Sequence, residues 1–220
     1  ALPDRLLVWN EIMLQEAVEY HGIPRERIDI VGVPQYETYR QIGSITNESI
    51  FRNRLEIPND TTIITYTASS EPMFPDEERF VEELLLAISK GTVGNAILIL
   101  RTHPPDVRKE VYCRKYLGTD LPIRLVFPDS AFTAFNTWSI GSNTSLVEFV
   151  ELMQFSDVVI NLSSTITLDA VLFDTPVICL NFNYLPDSEW NAAHMHHKCN
   201  HYRPIVESGA VELPNDMQEL

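Results

Sequence analysis

The stretch that decides the fold is residues 157–180, which read DVVINLSSTITLDAVLFDTPVICL. Residues 157–161 are mostly β-branched and apolar, which is typical of a buried strand, and residues 176–180 repeat that pattern. Between them, a polar turn leads into a helix predicted over residues 165–173. A strand, a helix and a second buried strand form a βαβ unit, so the two strands are predicted to be parallel with a right-handed crossover.

The same alternation extends through the preceding part of the chain. Further strands are predicted at 62–67, 96–100 and 123–127, with amphipathic helices over 75–91 and 145–155. We therefore predict an α/β fold, a Rossmann-like doubly wound parallel sheet, which forms one domain over residues 61–220.

The first sixty residues are assigned separately. Residues 1–40 have a strand–helix–strand pattern and are predicted to be the hinge or the tail of a neighbouring N-terminal domain, while residues 41–60 are predicted to be a connector. The chain starts without a signal peptide and ends in a segment that resembles a helix start. We therefore expect a fragment of a longer protein.

Composition excludes several classes of partner. The chain has 31 acidic and 16 basic residues, and its net charge of −15 repels nucleic acid and anionic membranes. No apolar run approaches the ~20 residues that span a bilayer, so we expect no transmembrane segment in this chain. Three cysteines, Cys113, Cys179 and Cys199, do not form a disulfide framework and favour a reducing compartment. We expect a cytoplasmic protein, and attachment to the inner membrane face through the rest of the protein is left open.

Ligands of open parallel sheets bind beyond the carboxyl ends of the strands, so the segments that follow each strand are the candidate site. Thr67, Ser69 and Ser70 follow one strand and offer hydroxyl donors to phosphate or ribose; the alternative is a turn rich in turn-forming residues. Arg101 and His103 follow the next strand. A guanidinium binds phosphate through two hydrogen bonds and an imidazole can donate to it, whereas the alternative is a surface loop with a chance histidine.

A third segment, Ser163, Ser164 and Thr165, lies between a strand and a helix. Hydroxyls and unpaired backbone N–H groups at a helix start form an anion site, and ordinary helix capping is an interpretation that can hold at the same time. Asp169 lies one helical turn further along the same side. Its carboxylate can accept two hydrogen bonds from ribose hydroxyls.

Two of these segments resemble known motifs. Residues 156–165, with Asp169 and residues 175–178, resemble the donor-site signature of GT-B glycosyltransferases. Residues 101–104, Arg-Thr-His-Pro, resemble the His-Pro element of bacterial sialyltransferases, Kdo transferases and CDP-glycerol glycerophosphotransferases, in which the His and the Ser pair hold the nucleotide phosphate. The usual ribose-binding Glu is Asp169 here, and the usual Gly two residues before the proline is Asp174.

The resemblance implies the donor-binding domain of a glycosyltransferase that uses a nucleotide-activated sugar, in cell-surface polysaccharide or glycoconjugate synthesis. It implies a CMP-, CDP- or UDP-linked donor with the cytidine nucleotides favoured, no cofactor, and a glycan or lipid-linked acceptor bound by the other domain, which also holds the catalytic base. A CDP-glycerol glycerophosphotransferase, a UDP-GlcNAc 2-epimerase-like enzyme and a non-catalytic scaffold domain are the alternatives.

Residues 194–201 read HMHHKCNH and contain four histidines and one cysteine, which are zinc or copper ligand types. Their spacing matches no standard zinc finger, and the chain has no second cysteine pair. We predict a loop that faces the acceptor or the other domain and binds no metal.

Overall fold

The computed structural model describes residues 4–69, 73–103, 108–128, 143–184, 192, 196–197 and 199–220. The chain divides into two compact units, Ala1–Ile45 and Thr46–Leu220. No helix in the described ranges is both long enough and apolar enough to cross a membrane.

Among its described residues, the first unit contains two short parallel strands, two α-helices and a 3-10 turn at Arg25–Arg27. Strand β1 (Leu6–Val8) pairs with β2 (Ile28–Ile30), and helix α1 (Glu11–Glu19) lies between them in the chain. Asn10 begins α1 because its Oδ1 accepts a hydrogen bond of 2.9 Å from the backbone N–H of Met13. The sequence interpretation missed helix α2 (Pro34–Gly43), which begins at Pro34, a residue suited to the first turn of a helix.

The second unit is built on a parallel sheet of five strands in the order β5-β4-β3-β6-β7. The strands are β3 (Thr62–Thr67), β4 (Ala96–Arg101), β5 (Ile123–Val126), β6 (Val158–Asn161) and β7 (Val177–Cys179). The helices are α3 (Glu48–Arg54), α4 (Glu77–Ser89), α5 (Lys109–Tyr116), α6 (Asn143–Phe155), α7 (Ile166–Val171) and α8 (Arg203–Glu207). The predicted Rossmann-like doubly wound sheet is confirmed.

The sheet reverses its order between β3 and β6. The chain runs outward from β3 through β4 to β5, and then returns to place β6 on the other side of β3. In such sheets a crevice opens at the carboxyl edge where the strand order reverses, and ligands bind there. The topology therefore places the expected crevice beyond Thr67 and Asn161, the last residues of these two central strands.

Each face of the sheet has its own packing layer. Tyr66, Leu98 and Leu100 are fully buried and pack with α4, where Phe80 lies 4.8 Å from the Tyr66 ring. On the opposite face, the hydroxyl of Thr65 forms a hydrogen bond of 2.6 Å with the hydroxyl of Ser156, the residue that follows α6. Because side chains alternate along a strand, Thr67 lies on the same face as Thr65.

Residues 41–60 differ from the connector that the sequence suggested. They contain the end of α2 and the whole of α3, and Phe51 in α3 is fully buried with its ring 5.5 Å from that of Phe155. Because this stretch is mostly polar, its sequence did not indicate the helix, although that helix buries one aromatic residue.

The carboxyl-terminal segment also differs from the expected helix start. Glu212 runs parallel to β7, donating its N–H to Val177 and accepting one from Cys179. Beyond it, Asp216 accepts hydrogen bonds from the backbone N–H groups of Gln218 and Glu219, which closes a turn.

Candidate functional site

Thr67 and Arg101 lie next to each other at the carboxyl edge of the sheet. They are register partners at the ends of β3 and β4, so their side chains share the face that packs against α6 and α7. The guanidinium of Arg101 lies over the ring of Phe149 in α6, with 4.9 Å between Cζ and the ring centroid. The topology thus brings the first two predicted segments together.

Asp169 projects from α7 into the same region. Its side chain is 8% exposed, and burial raises its pKa from 3.8 to about 7, against the opposing charge of Arg101. A buried carboxyl that titrates near neutrality next to a guanidinium is an arrangement found at functional sites. The predicted ribose-binding residue therefore lies beside the predicted phosphate-binding arginine.

Two hydroxyl groups at this edge have no hydrogen-bond partner among the residues that the structure describes. They belong to Thr67, which is 2% exposed, and to Ser163, two residues after β6. Buried polar groups are nearly always hydrogen-bonded, so these two hydroxyls are candidates to bind a ligand. Both follow the central strands, β3 and β6.

The segment after β6 is held in a fixed conformation by Asn161. Its Oδ1 accepts a hydrogen bond of 2.9 Å from the N–H of Ser164, and the Ser164 hydroxyl in turn accepts one of 3.3 Å from Ile166. Thr165 is exposed and precedes α7 without capping it through its side chain. Because α7 has only six residues, its dipole is a weaker source of positive potential than the sequence suggested, and Arg101 is the stronger one.

A buried polar network lies beneath this segment. The hydroxyl of Tyr202 lies 2.9 Å from that of Thr167 and 3.1 Å from the sulfur of Cys179, and the amide of Asn161 donates to Thr167 across 3.1 Å. All four side chains are fully buried. Burial raises the pKa of both Tyr202 and Cys179, which keeps these groups neutral and able to share hydrogen bonds. No feature of the sequence pointed to this network.

His196 belongs to this network rather than to an exposed loop. It is fully buried, its Nε2 donates to the carbonyl of Leu162 across 2.6 Å, and its ring stacks on Tyr202 with centroids 5.5 Å apart. Burial lowers its pKa, which favours the neutral ring. The interpretation of the histidine cluster as a loop facing another domain is therefore wrong for His196, while His194 lies outside the described residues. That the cluster binds no metal stays a prediction.

A second buried cluster holds the segment after β3. Glu77, the first residue of α4, is fully buried and accepts hydrogen bonds from the hydroxyl of Tyr66 at 2.6 Å and from the N–H and hydroxyl of Ser69 at 2.7 and 3.0 Å. Arg108 pairs with its other oxygen at 2.7 Å. The Ser69 hydroxyl is thus engaged by Glu77 in this structure. The one sequence signal for this cluster was Tyr66, a tyrosine within an apolar strand, because a buried tyrosine hydroxyl needs a hydrogen-bond partner.

The remaining predicted residues are placed as follows. His103 follows β4 by two residues and is partly buried, whereas Ser70 and Pro104 lie outside the described residues. Asp174, at the position where the resembled family has glycine, has a φ of +57°. Aspartate tolerates this left-handed conformation better than most residues, which explains both the usual glycine and its replacement.

Comparison with known proteins supports the fold. No protein-family model matches the chain, and no curated protein matches it in sequence. Among solved structures, the UDP-GlcNAc 2-epimerase from Methanocaldococcus jannaschii superposes with a TM-score of 0.59 at 19% identity, over 98% of this chain and 52% of that one. The S. aureus MnaA–UDP co-structure gives 0.61 at 16% identity, over 99% and 49%.

The wall teichoic acid polymerase TagF gives a TM-score of 0.52 at 16% identity, over 80% of this chain and 38% of that one. At such identities the likeness establishes the fold alone, which is the Rossmann-like parallel sheet described above. The chain spans about half the length of the epimerase structures that it matches. The particular likeness to sialyltransferases and Kdo transferases stays a prediction.

Proposed function

We propose that this chain is the donor-binding part of a GT-B enzyme that acts on a nucleotide-activated sugar, as a glycosyltransferase in cell-surface polysaccharide or glycoconjugate synthesis. The observation that carries the proposal is the position of Arg101, Asp169 and the hydroxyls of Thr67 and Ser163, which have no hydrogen-bond partner among the described residues. All four lie at the carboxyl edge where the sheet reverses its order. This is where sheets of this kind bind nucleotides.

The chemistry of these groups fits a nucleotide. In glycosyl transfer the leaving group is a nucleotide phosphate, and its developing negative charge needs stabilisation. Arg101 supplies a positive charge, with His103 and the hydroxyls of Ser163 and Ser164 as further donors. Asp169 accepts hydrogen bonds from ribose hydroxyls, which separates a nucleotide from a bare phosphate.

Exposed apolar side chains of the first unit favour a second part of the enzyme that packs on this unit. In its two parallel strands, Leu7 is 61% exposed on one face and Ile30, the register partner of Val8, is 45% exposed on the other. Parallel sheets are normally covered on both faces, so these exposed apolar side chains favour a further part of the enzyme that covers them. In our proposal that second part binds the acceptor and holds the catalytic base, so the chain alone should not turn over.

A UDP-GlcNAc 2-epimerase-like activity is the second candidate. The observation in its favour is that the M. jannaschii epimerase structure matches 98% of the chain, including the first unit, whereas TagF matches 80%. Both candidates need a uridine or cytidine nucleotide at the same edge of the sheet. They differ in the residues that another domain brings to the sugar.

The test is a thermal-shift series with CMP, CDP, UDP, GDP and ADP at millimolar concentration. A ligand at 100 times its dissociation constant adds ~2.7 kcal/mol to the stability, which is roughly 5–10 °C for a domain of this size. We expect pyrimidine nucleotides to give the largest shift. Ser164→Ala and His103→Ala should reduce it, since a hydrogen bond to a charged group contributes about 1.5–3 kcal/mol.

Ser208→Ala is the matched control for Ser164→Ala. The Ser208 hydroxyl accepts from the N–H two residues later at 3.2 Å, as Ser164 does, but Ser208 lies after α8. It should lower the melting temperature without changing the nucleotide shift. A shift that survives both Ser164→Ala and His103→Ala would place the phosphate site elsewhere, and no shift with any nucleotide would favour a scaffold domain.

A further inference from the structure

The ion pair between Glu77 and Arg108 is almost completely shielded from water. The side chain of Glu77 is 0% exposed and that of Arg108 is 5% exposed, with 2.7 Å between Oε2 and Nη2. Burying two charges costs several kcal/mol per ion, and a well-packed apolar pair of similar volume is often as stable. Stability alone therefore gives no reason for charges at these positions.

The pair connects the segments that follow two neighbouring strands. Glu77 accepts both the N–H and the hydroxyl of Ser69, which is two residues after β3. Arg108 donates to the carbonyl of the same Ser69 at 2.6 Å and to that of Phe74 at 3.2 Å. Arg108 stands directly before α5, so the pair ties Ser69 to the start of that helix.

Tyr66 links this arrangement to the sheet. Its hydroxyl donates to the same oxygen of Glu77 across 2.6 Å, and the residue is fully buried in β3, one position before Thr67. The backbone of Ser69 is thus held at its N–H and at its carbonyl by two different side chains. Such a fixed backbone lowers the entropy lost when a ligand binds.

We propose that Glu77 and Arg108 are positioning residues, which hold Ser69 after β3 and the start of α5 in the geometry that the nucleotide site needs. They do so without touching the ligand. This inference rests on the proposed function, because it assigns a role at the same edge of the sheet.

Glu77→Gln tests the proposal. Glutamine keeps the size and the acceptor oxygen but removes the charge that Arg108 pairs with. The dissociation constants of CDP and UDP are measured by calorimetry at a temperature where circular dichroism shows each variant fully folded. We expect affinity to fall about tenfold or more, since small misplacements at a binding site have effects of this order.

Glu151→Gln is the matched control. Glu151 is 4% exposed and pairs with Arg54 across 2.6 Å between α3 and α6, away from both segments. It should lower the melting temperature and leave the nucleotide dissociation constant unchanged. This split between stability and affinity separates positioning from a general structural role.

The outcomes are distinct. Wild-type protein that binds no nucleotide would overturn the proposed function and this inference with it. Wild-type binding that Glu77→Gln leaves unchanged would overturn this inference alone. If Glu77→Gln does not fold, Arg108→Lys answers the same question, because lysine keeps the charge but cannot bridge Glu77 and two carbonyls as the guanidinium fork does.

Discussion

Asp169→Asn should stabilise the ligand-free protein at pH 8 and change its stability far less at pH 4. Burial raises the pKa of this carboxyl to about 7, whereas an unfolded chain has an aspartate pKa of about 3.9. Between these values the folded protein keeps a proton that the unfolded chain has lost, so stability falls as the pH rises through this window. Below it both states are protonated and the difference disappears.

The size of the stabilisation by Asp169→Asn follows from the pKa shift of Asp169. The pKa moves from 3.8 to about 7, and at about 1.4 kcal/mol per unit the charged carboxylate costs the folded state up to ~4 kcal/mol above pH 7. Asparagine has nearly the same shape and no charge, so it removes that cost. For a domain of this size the melting temperature should rise by several degrees, with roughly 8–16 °C as the upper limit.

The assay is a set of thermal melts from pH 4 to pH 8, with Asp120→Asn as the control because Asp120 is exposed. The gain of Asp169→Asn should grow with pH and level off near pH 8, while the control shows no such trend. A loss of stability at pH 8 would mean that the Asp169 carboxylate is well paired, and the reasoning would then fail. The gain should come with weaker nucleotide binding, as is common where a destabilising residue serves function.

Three further predictions concern buried residues outside the ligand-binding edge. Tyr202→Phe removes the hydroxyl shared with Thr167 and Cys179 and should cost about 1–3 kcal/mol in urea unfolding. Phe51→Ala should cost about 3–5 kcal/mol with an unchanged denaturant slope, and a cost below 1 kcal/mol would show that α3 is not part of the core. Burial lowers the pKa of His196, so the folded protein binds fewer protons there than the unfolded chain, and stability should fall below about pH 6.5. In thermal melts, the melting temperature of His196→Gln should fall less steeply below pH 6.5 than that of the wild type. An unchanged decline would show that His196 does not cause it.

The sheet could be predicted from the sequence because its strands are continuous apolar runs. Such runs, alternating with amphipathic helices, leave few topologies open, and the topology alone brings Thr67, Arg101 and Asp169 to one edge. The helices over 34–43 and 109–116 were missed because both are mostly polar and bury few residues, Gly43 in the first and Tyr112 and Tyr116 in the second.

The buried clusters could not be predicted, because their members are far apart in the chain. Arg108 donates to a carbonyl 34 residues away, and Tyr202 approaches an amide 41 residues away. Nothing in the local pattern around Glu77 separates a fully buried carboxylate from the usual exposed one in the first turn of a helix. Only the folded chain shows which polar residues are enclosed.

The charges at the site determine which ligand fits it. With a net charge of −15, the protein attracts an anion only where a local positive group outweighs the general field, and Arg101 is such a group beside Asp169. A bare anion beside Arg101 also meets the carboxylate of Asp169 above pH 7, so sulfate should bind more tightly as the pH falls from 8 to 6. Ribose hydroxyls favour the charged carboxylate, so cytidine should bind more tightly as the pH rises over the same range. A nucleotide carries both groups and satisfies both residues at once, so its affinity should change less with pH than that of either part. Parallel pH slopes for sulfate and cytidine would show that Asp169 does not face the ligand.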